Sequence, residues 1–139
     1  MTIKETQEEI VEEFALFDEW MDKYEHIIEL GKELPLIEEQ YKTENNLIKG
    51  CQSRVWLHAE LIDGKIIFTA DSDAIITKGI IALMIRVFSN HSPKEIADAE
   101  LFFIDQIGLK EHLSPTRSNG LVSMVKQIKI YSIAFQAKT

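Results

Sequence analysis

The stretch Arg54-Val55-Trp56-Leu57-His58-Ala59-Glu60-Leu61-Ile62-Asp63-Gly64-Lys65-Ile66-Ile67-Phe68-Thr69-Ala70 decides the fold. Val55, Leu57, Ala59 and Leu61 alternate with Arg54, Trp56, His58 and Glu60, the two-residue period of a half-buried strand. Asp63-Gly64 is a favoured two-residue hairpin turn. Ile66, Phe68 and Ala70 then return on one face of a second strand. An isolated hairpin is barely stable, so a third short strand is expected, and Asn46 to Ile48 is the nearest candidate.

Outward from the hairpin the period becomes helical. Ile10, Phe14, Phe17, Met21, Tyr24 and Ile28 recur at three- and four-residue steps, with Glu8, Glu9, Glu12, Glu13, Asp18 and Asp22 on the opposite face. Gly31 and Pro35 end that stretch, and a break near Asp18 would divide it into two helices. Residues 36 to 53 read as an irregular, polar approach to the hairpin. Beyond it, Asp71-Ser72-Asp73 offers N-cap oxygens for a helix from Ala74 to about Ser89 that is apolar nearly all round and therefore buried. Ser92-Pro93 with Glu95 reads as a short helix start. Leu101, Phe102, Phe103 and Ile107 form a short apolar segment closed by Gly108. After the punctuation Ser114-Pro115-Thr116-Arg117-Ser118-Asn119-Gly120, a last helix buries Leu121, Met124, Val125, Ile128, Tyr131 and Phe135. The expected class is α+β, a small antiparallel sheet of about three strands with helices packed on one face, in a single domain over residues 1–139.

One cysteine, Cys51, lies between Gly50 and Gln52 just before the hairpin. A lone cysteine forms no internal disulfide and cannot supply a multi-thiolate metal or cluster site. Such a residue is commonly a small buried hydrophobe. Its neighbours suggest another role. Gly50 permits a sharp bend, and Lys49 and Arg54 can bring positive charge that favours the thiolate. Burial in an apolar niche would act in the opposite direction.

The 45% hydrophobic content suits one core, and the mean hydropathy is near zero, −0.07. A net charge of −8 argues against nucleic acid and membrane surfaces as main partners. The acidic start of the chain fits neither a secretory signal nor a transit peptide. The longest apolar run, Gly79 to Ile85, is too short for a bilayer, which takes about 20 residues. A cytoplasmic location is expected, where an unpaired thiol persists. No glycine-rich phosphate loop is present. His26, His58, His91 and His112 lack paired ligand spacing, so no metal site is expected. His58 stands as an ordinary strand residue, although a Cys–His pair could form only in the fold. No lysine sits in a recognisable cofactor-anchoring context.

The run Gly50-Cys51-Gln52-Ser53-Arg54-Val55-Trp56-Leu57 resembles the active-cysteine signature of the SufE-like sulfur acceptor family. Trp20, Tyr24 and Ile28-Glu29-Leu30-Gly31-Lys32-Glu33-Leu34-Pro35 are similar to that family's N-terminal helix and its exit. Asp71-Ser72-Asp73-Ala74 with Ile76, Lys78 and Gly79 resembles its second signature. Gly108-Leu109, Leu113-Ser114 and Arg117-Ser118-Asn119-Gly120-Leu121 resemble its third. Order and spacing match over nearly the whole chain. Met21 departs from the acidic residue usual after the tryptophan, while Lys23 keeps the base.

The resemblance implies a SufE/NifU-like fold with Cys51 at a loop tip. It implies an accessory protein, not an enzyme in its own right. Cys51 would take persulfide sulfur from a pyridoxal-phosphate cysteine desulfurase (SufS-like or CsdA-like), stimulate that enzyme, and pass sulfur to an iron–sulfur scaffold (SufBCD-like). The chain itself would need no cofactor and would be a monomer or homodimer. Gly50 would free the bend, and Gln52 and Ser53 would hydrogen-bond the loop or the partner. Asp73 would cap the buried helix or touch the partner, and Arg117 would serve the thiolate or a partner carboxylate. Trp56 would pack rather than react. The alternatives are a thiol redox sensor and a plain interaction module.

Overall fold

A computed structural model describes residues 1–51 and 53–138, the side chains of 115 and 116 aside. Strands β1 (Val55–Ile62) and β2 (Lys65–Ser72) pair antiparallel in the register set by Asp63 and Gly64. Both turn residues have positive φ, 51° and 79°, as the hairpin turn requires. The register puts Leu57 opposite Ala70 and Ala59 opposite Phe68, so the buried residues of both strands share one face.

Among the described residues the sheet has two strands, not three. Asn46–Ile48 contributes only a single bridge, Leu47 to Trp56, with the Ile48 N–H donated to the Val55 carbonyl at 2.8 Å. The opposite edge is covered by Pro35–Ile37, where Ile37 and Ala70 N–H groups donate to Ala70 and Pro35 carbonyls at 3.0 and 3.1 Å. Further along the same edge Ile66 bridges His91, so one extended contact blunts the β1 edge and two blunt the β2 edge, without a full ladder on either. Between the Pro35–Ile37 and Asn46–Ile48 contacts the chain makes two 3-10 turns, Glu39–Tyr41 and Glu44–Asn46. They lie over the outer face of the hairpin, where Tyr41 stacks on His58 at 3.8 Å and the Lys42 ammonium sits over Trp56.

The N-terminal periodic stretch divides as expected, into α1 (Ile3–Ala15) and α2 (Trp20–Gly31). Thr2 and Glu5 form a capping box at the start of α1. Helix α3 (Ile75–Phe88) is the centre of the fold: Ile76, Ile80, Ile81, Met84 and Phe88 are among its buried residues, and it packs against β2, α1 and α2. Then come α4 (Pro93–Asp98), opened by a Ser92/Glu95 capping box, α5 (Phe103–Gln106), α6 (Leu109–His112) and α7 (Pro115–Lys138). Lys129 of α7 donates to the carbonyls of Ile96, Ala97 and Ala99, completing the end of α4. The Tyr131 hydroxyl donates to the Leu57 carbonyl at 3.3 Å and ties α7 to β1. The core is one cluster running from Ile10 and Phe14 through α3 to Ile128. Among the described residues, no helix is long and apolar enough to cross a membrane.

Helices α2 and α3 touch backbone to backbone. A Cβ placed on Gly79 would lie 2.1 Å from the Ile27 carbonyl oxygen, and one on Gly31 would lie 2.9 Å from the Gly79 nitrogen. The obstructing atoms are backbone, so the clash can be relieved only by moving a helix. Gly79→Ala is expected to cost about 3 kcal/mol, as for other overpacked interiors. Urea unfolding of the variant would measure it as a lowered midpoint with little change in slope.

Candidate functional site

The chain on either side of Cys51 is held in place at Ile48 and at Arg54. Before Cys51 is the Ile48 N–H bond to Val55. After it the main chain of Arg54 is gripped on both sides. The Arg54 N–H donates to Asp73 Oδ1 at 3.0 Å, and the Arg54 carbonyl accepts from the Ser72 hydroxyl at 2.8 Å and the Asp73 N–H at 3.3 Å. Of the two roles expected of Asp73, the structure sets aside the helix cap. Its carboxylate does not cap α3: the residue before that helix, Ala74, has no side-chain cap, and the Ala74 N–H goes to Ser72 Oγ at 3.2 Å. Asp73 instead closes the loop from across the hairpin.

Inside the loop, Gly50 has φ +90°, and a Cβ there would meet Ser123 Oγ at 2.6 Å. The bend therefore needs glycine for its backbone conformation, while the Ser123 hydroxyl packs against it. It turns Cys51 onto α7, where the thiol donates to the Gly120 carbonyl at 3.6 Å. Cys51 is half-buried. It faces a cavity of about 20 Å3 walled by Thr77 and Ile80 of α3, Gly120 and Met124 of α7, and Ser53 and Arg117. That volume holds about one water-sized atom.

Burial pushes the Cys51 thiol up from its ordinary value, and no neighbouring charge offsets it. The possibility that Lys49 and Arg54 depress it is therefore not realised in this resting geometry. A buried neutral thiol is a poor nucleophile.

Of the residues singled out by sequence, the structure gathers Cys51, Gly50, Ser53 and Arg117 at one place, with Asp73 behind the loop. Gln52 lies outside the described residues. Ser53 lines the cavity. Arg117 is exposed in the first turn of α7, where its N–H donates to Ser114 Oγ. Trp56 packs under Lys42, as expected of a residue without chemistry. His58 is engaged by Tyr41 and, through Nε2, by Glu60 at 3.0 Å. Sequence reasoning missed Thr77, Ile80, Ser123 and Met124 as walls of the site, and Gly120 as the sulfur's acceptor. Helical spacing from Gly120 was the available signal, because positions 120, 123 and 124 share one face.

Two outcomes follow from this geometry. Alkylation of Cys51 by iodoacetamide should be slow at neutral pH and should rise with a midpoint above that of free cysteine, followed by mass spectrometry across a pH series. At fixed pH, Asp73→Ala should speed alkylation several-fold by loosening the loop exit, whereas Asp73→Asn, which keeps an acceptor oxygen, should lie between it and the parent.

The family model and the sequence relatives agree on one family. Residues 8–132 match SufE, described as an Fe-S metabolism associated domain. An uncharacterized SufE-like protein of Rhizobium meliloti (strain 1021) is 42% identical over 127 residues, covering 88% of this chain and 91% of that protein. Another, from Rhizobium etli, is 41% identical over 127 residues, covering 88% and 86%. A solution structure of a hypothetical protein from Thermus thermophilus superimposes with a TM-score of 0.77 at 18% identity, over 93% of this chain and 94% of that one, and shares the fold. With a single cysteine held between the signature segments of this family, the chain belongs to the SufE family of Fe–S metabolism proteins.

Proposed function

We propose that the chain accepts sulfur as a persulfide on Cys51 from a pyridoxal-phosphate cysteine desulfurase, stimulates that enzyme by emptying it, and hands the sulfur on toward iron–sulfur cluster assembly. The observation that carries this reading is the presentation of the sulfur: one thiol, sheltered over a one-atom cavity, on a short loop clamped at its base.

The chemistry is thiol exchange. The Cys51 thiolate attacks the outer sulfur of the donor's cysteine persulfide. A new S–S bond forms at Cys51, the donor's S–S bond breaks, and the donor cysteine leaves as a thiolate. The outer sulfur keeps its proton, so no oxidant or reductant is consumed. The attack needs a solvated thiolate, which the resting site disfavours. Moving the loop outward gives up one weak S–H···O contact and half the burial of a small side chain, about 1 kcal/mol. A partner surface can supply that much easily. On return, the cavity beside Sγ is of the size to receive the added sulfur and shield it from small thiols. Gly50 supplies the backbone freedom, and the Ser72–Asp73 grip on Arg54 confines movement to the loop.

Intact-protein mass spectrometry after incubation with a cysteine desulfurase and free cysteine tests this directly. The expected result is a reductant-sensitive gain of one or more sulfur atoms that is absent in Cys51→Ser. No gain with a Suf-type or a Csd-type desulfurase would overturn the reading. Oxygen addition at Cys51 by dilute peroxide, without any such gain, would place the chain among redox sensors instead.

A further inference from the structure

The chain carries 23 acidic and 15 basic side chains, and among the described residues six of the cations, Lys32, Lys42, Lys78, Arg86, Lys94 and Lys110, form ion pairs. Lys42 and Lys78 both reach Asp71, Arg86 binds Glu9 and Glu13, and Lys110 approaches Asp105. Of the cations outside those pairs, Lys49, Arg54, Arg117 and Lys126 are the ones near the cysteine. Among the described residues none of their side chains makes an ion pair, and all four are exposed around the cysteine loop.

Two of them converge. Behind the loop, on the side away from the cysteine cavity, is a groove of about 420 Å3. Lys49 stands on its loop wall and Lys126 on its α7 wall, with Asn45, Ser123, Gln127 and Ile130 between them. Neither this groove nor the cysteine cavity has a carboxylate in its lining, whereas the clefts elsewhere include Glu95, Asp98 and Glu100, or Asp22, Glu25 and Glu29. In a chain of net charge −8, the lining of this groove carries two lysines and no carboxylate. Two ammonium groups, two amides and a hydroxyl around an open polar groove form a donor set suited to carboxylates.

We propose that the Lys49–Lys126 groove is a docking site for an acidic segment of the sulfur-donating protein. This rests on the sulfur-acceptor reading and adds the partner's chemistry to it. Charge complementarity names the occupant: the acidic remainder of this chain repels a like-charged surface, so a carboxylate-bearing segment is steered to the loop. The groove is also continuous with the moving part. Lys49 adjoins Gly50, and Gly50 packs on Ser123 of the groove wall. A segment seated between the lysines bears on the rear of the loop that carries Cys51.

The test uses the full chain with a cysteine desulfurase and compares the parent with Lys49→Glu, Lys126→Glu and the pair, all exposed positions. The control is Lys65→Glu, an exposed cation at the far end of the hairpin, about 23 Å along the strands. The concentration of chain giving half-maximal sulfur transfer should rise about tenfold or more in the double variant, with the maximal rate at saturation nearly unchanged. Raising the salt should weaken the parent and have less effect on the double variant. Equal half-saturation in parent and double variant, or an equal loss in Lys65→Glu, would overturn the docking site while leaving the sulfur-acceptor reading intact. Self-association of the chain that the double variant abolishes would assign the groove to the acidic face of a second copy and overturn it as well. Absence of any transfer to the parent would remove the sulfur-acceptor reading and the docking site together.

Discussion

Everything near the cysteine depends on how closely α2 and α3 can approach. At Gly79 and Gly31 the two backbones meet with no side chain between them. This lets α2 lie flat on one side of α3 while the hairpin occupies another. Were the helices spaced by ordinary side chains at 8–10 Å between axes, α3 would shift against β2. The first casualty would be the register between Asp73, just before α3, and Arg54 at the start of β1. A packing constraint in the interior thus sets the position of the loop exit, and through it the place where a sulfur atom meets Gly120.

The site combines rigidity and freedom over very few residues. On either side of the loop the main chain is fixed by hydrogen bonds, and beneath it α7 is fixed by its Lys129 and Tyr131 contacts to α4 and β1. Between these anchors one weak sulfur contact holds the tip. Burial keeps the thiol protonated at rest. The proposed sulfur transfer therefore calls for a displaced loop, at a cost that a protein surface can meet. A thiol activated permanently by adjacent cations would instead react with any available electrophile.

Much of this was legible in the sequence where the signal is local. The hairpin, its turn, the break in the N-terminal helical stretch and the Ser92/Glu95 start each follow from periodicity or from capping residues within a few positions. The misreadings are all non-local. Asn46–Ile48 is the candidate for a third strand, but the 3-10 turn takes in Asn46 and the bend at Gly50 follows closely, which leaves room for only one bridging pair. Asp73 has the position of a cap, yet its partner is 19 residues away in sequence, across the hairpin. Asn119-Gly120 looks like punctuation, whereas α7 begins at Pro115 and takes both residues inside. Whether the cysteine's charged neighbours or its burial would govern it depends on where the loop folds back, which composition does not encode. Three of the family signatures fall on the loop, the start of α3 and the start of α7, distant in sequence and adjacent in space.

The clamp on the loop exit grips Arg54 by its amide hydrogen and carbonyl oxygen alone. The guanidinium takes no part in it. Presentation of the sulfur and the chemical character of the surface beside it are therefore separable properties at that position. A drift from arginine to another side chain would leave the loop geometry in place and alter only the chemistry of the surface beside it. Proline is the exception, since it would delete the hydrogen that Asp73 holds.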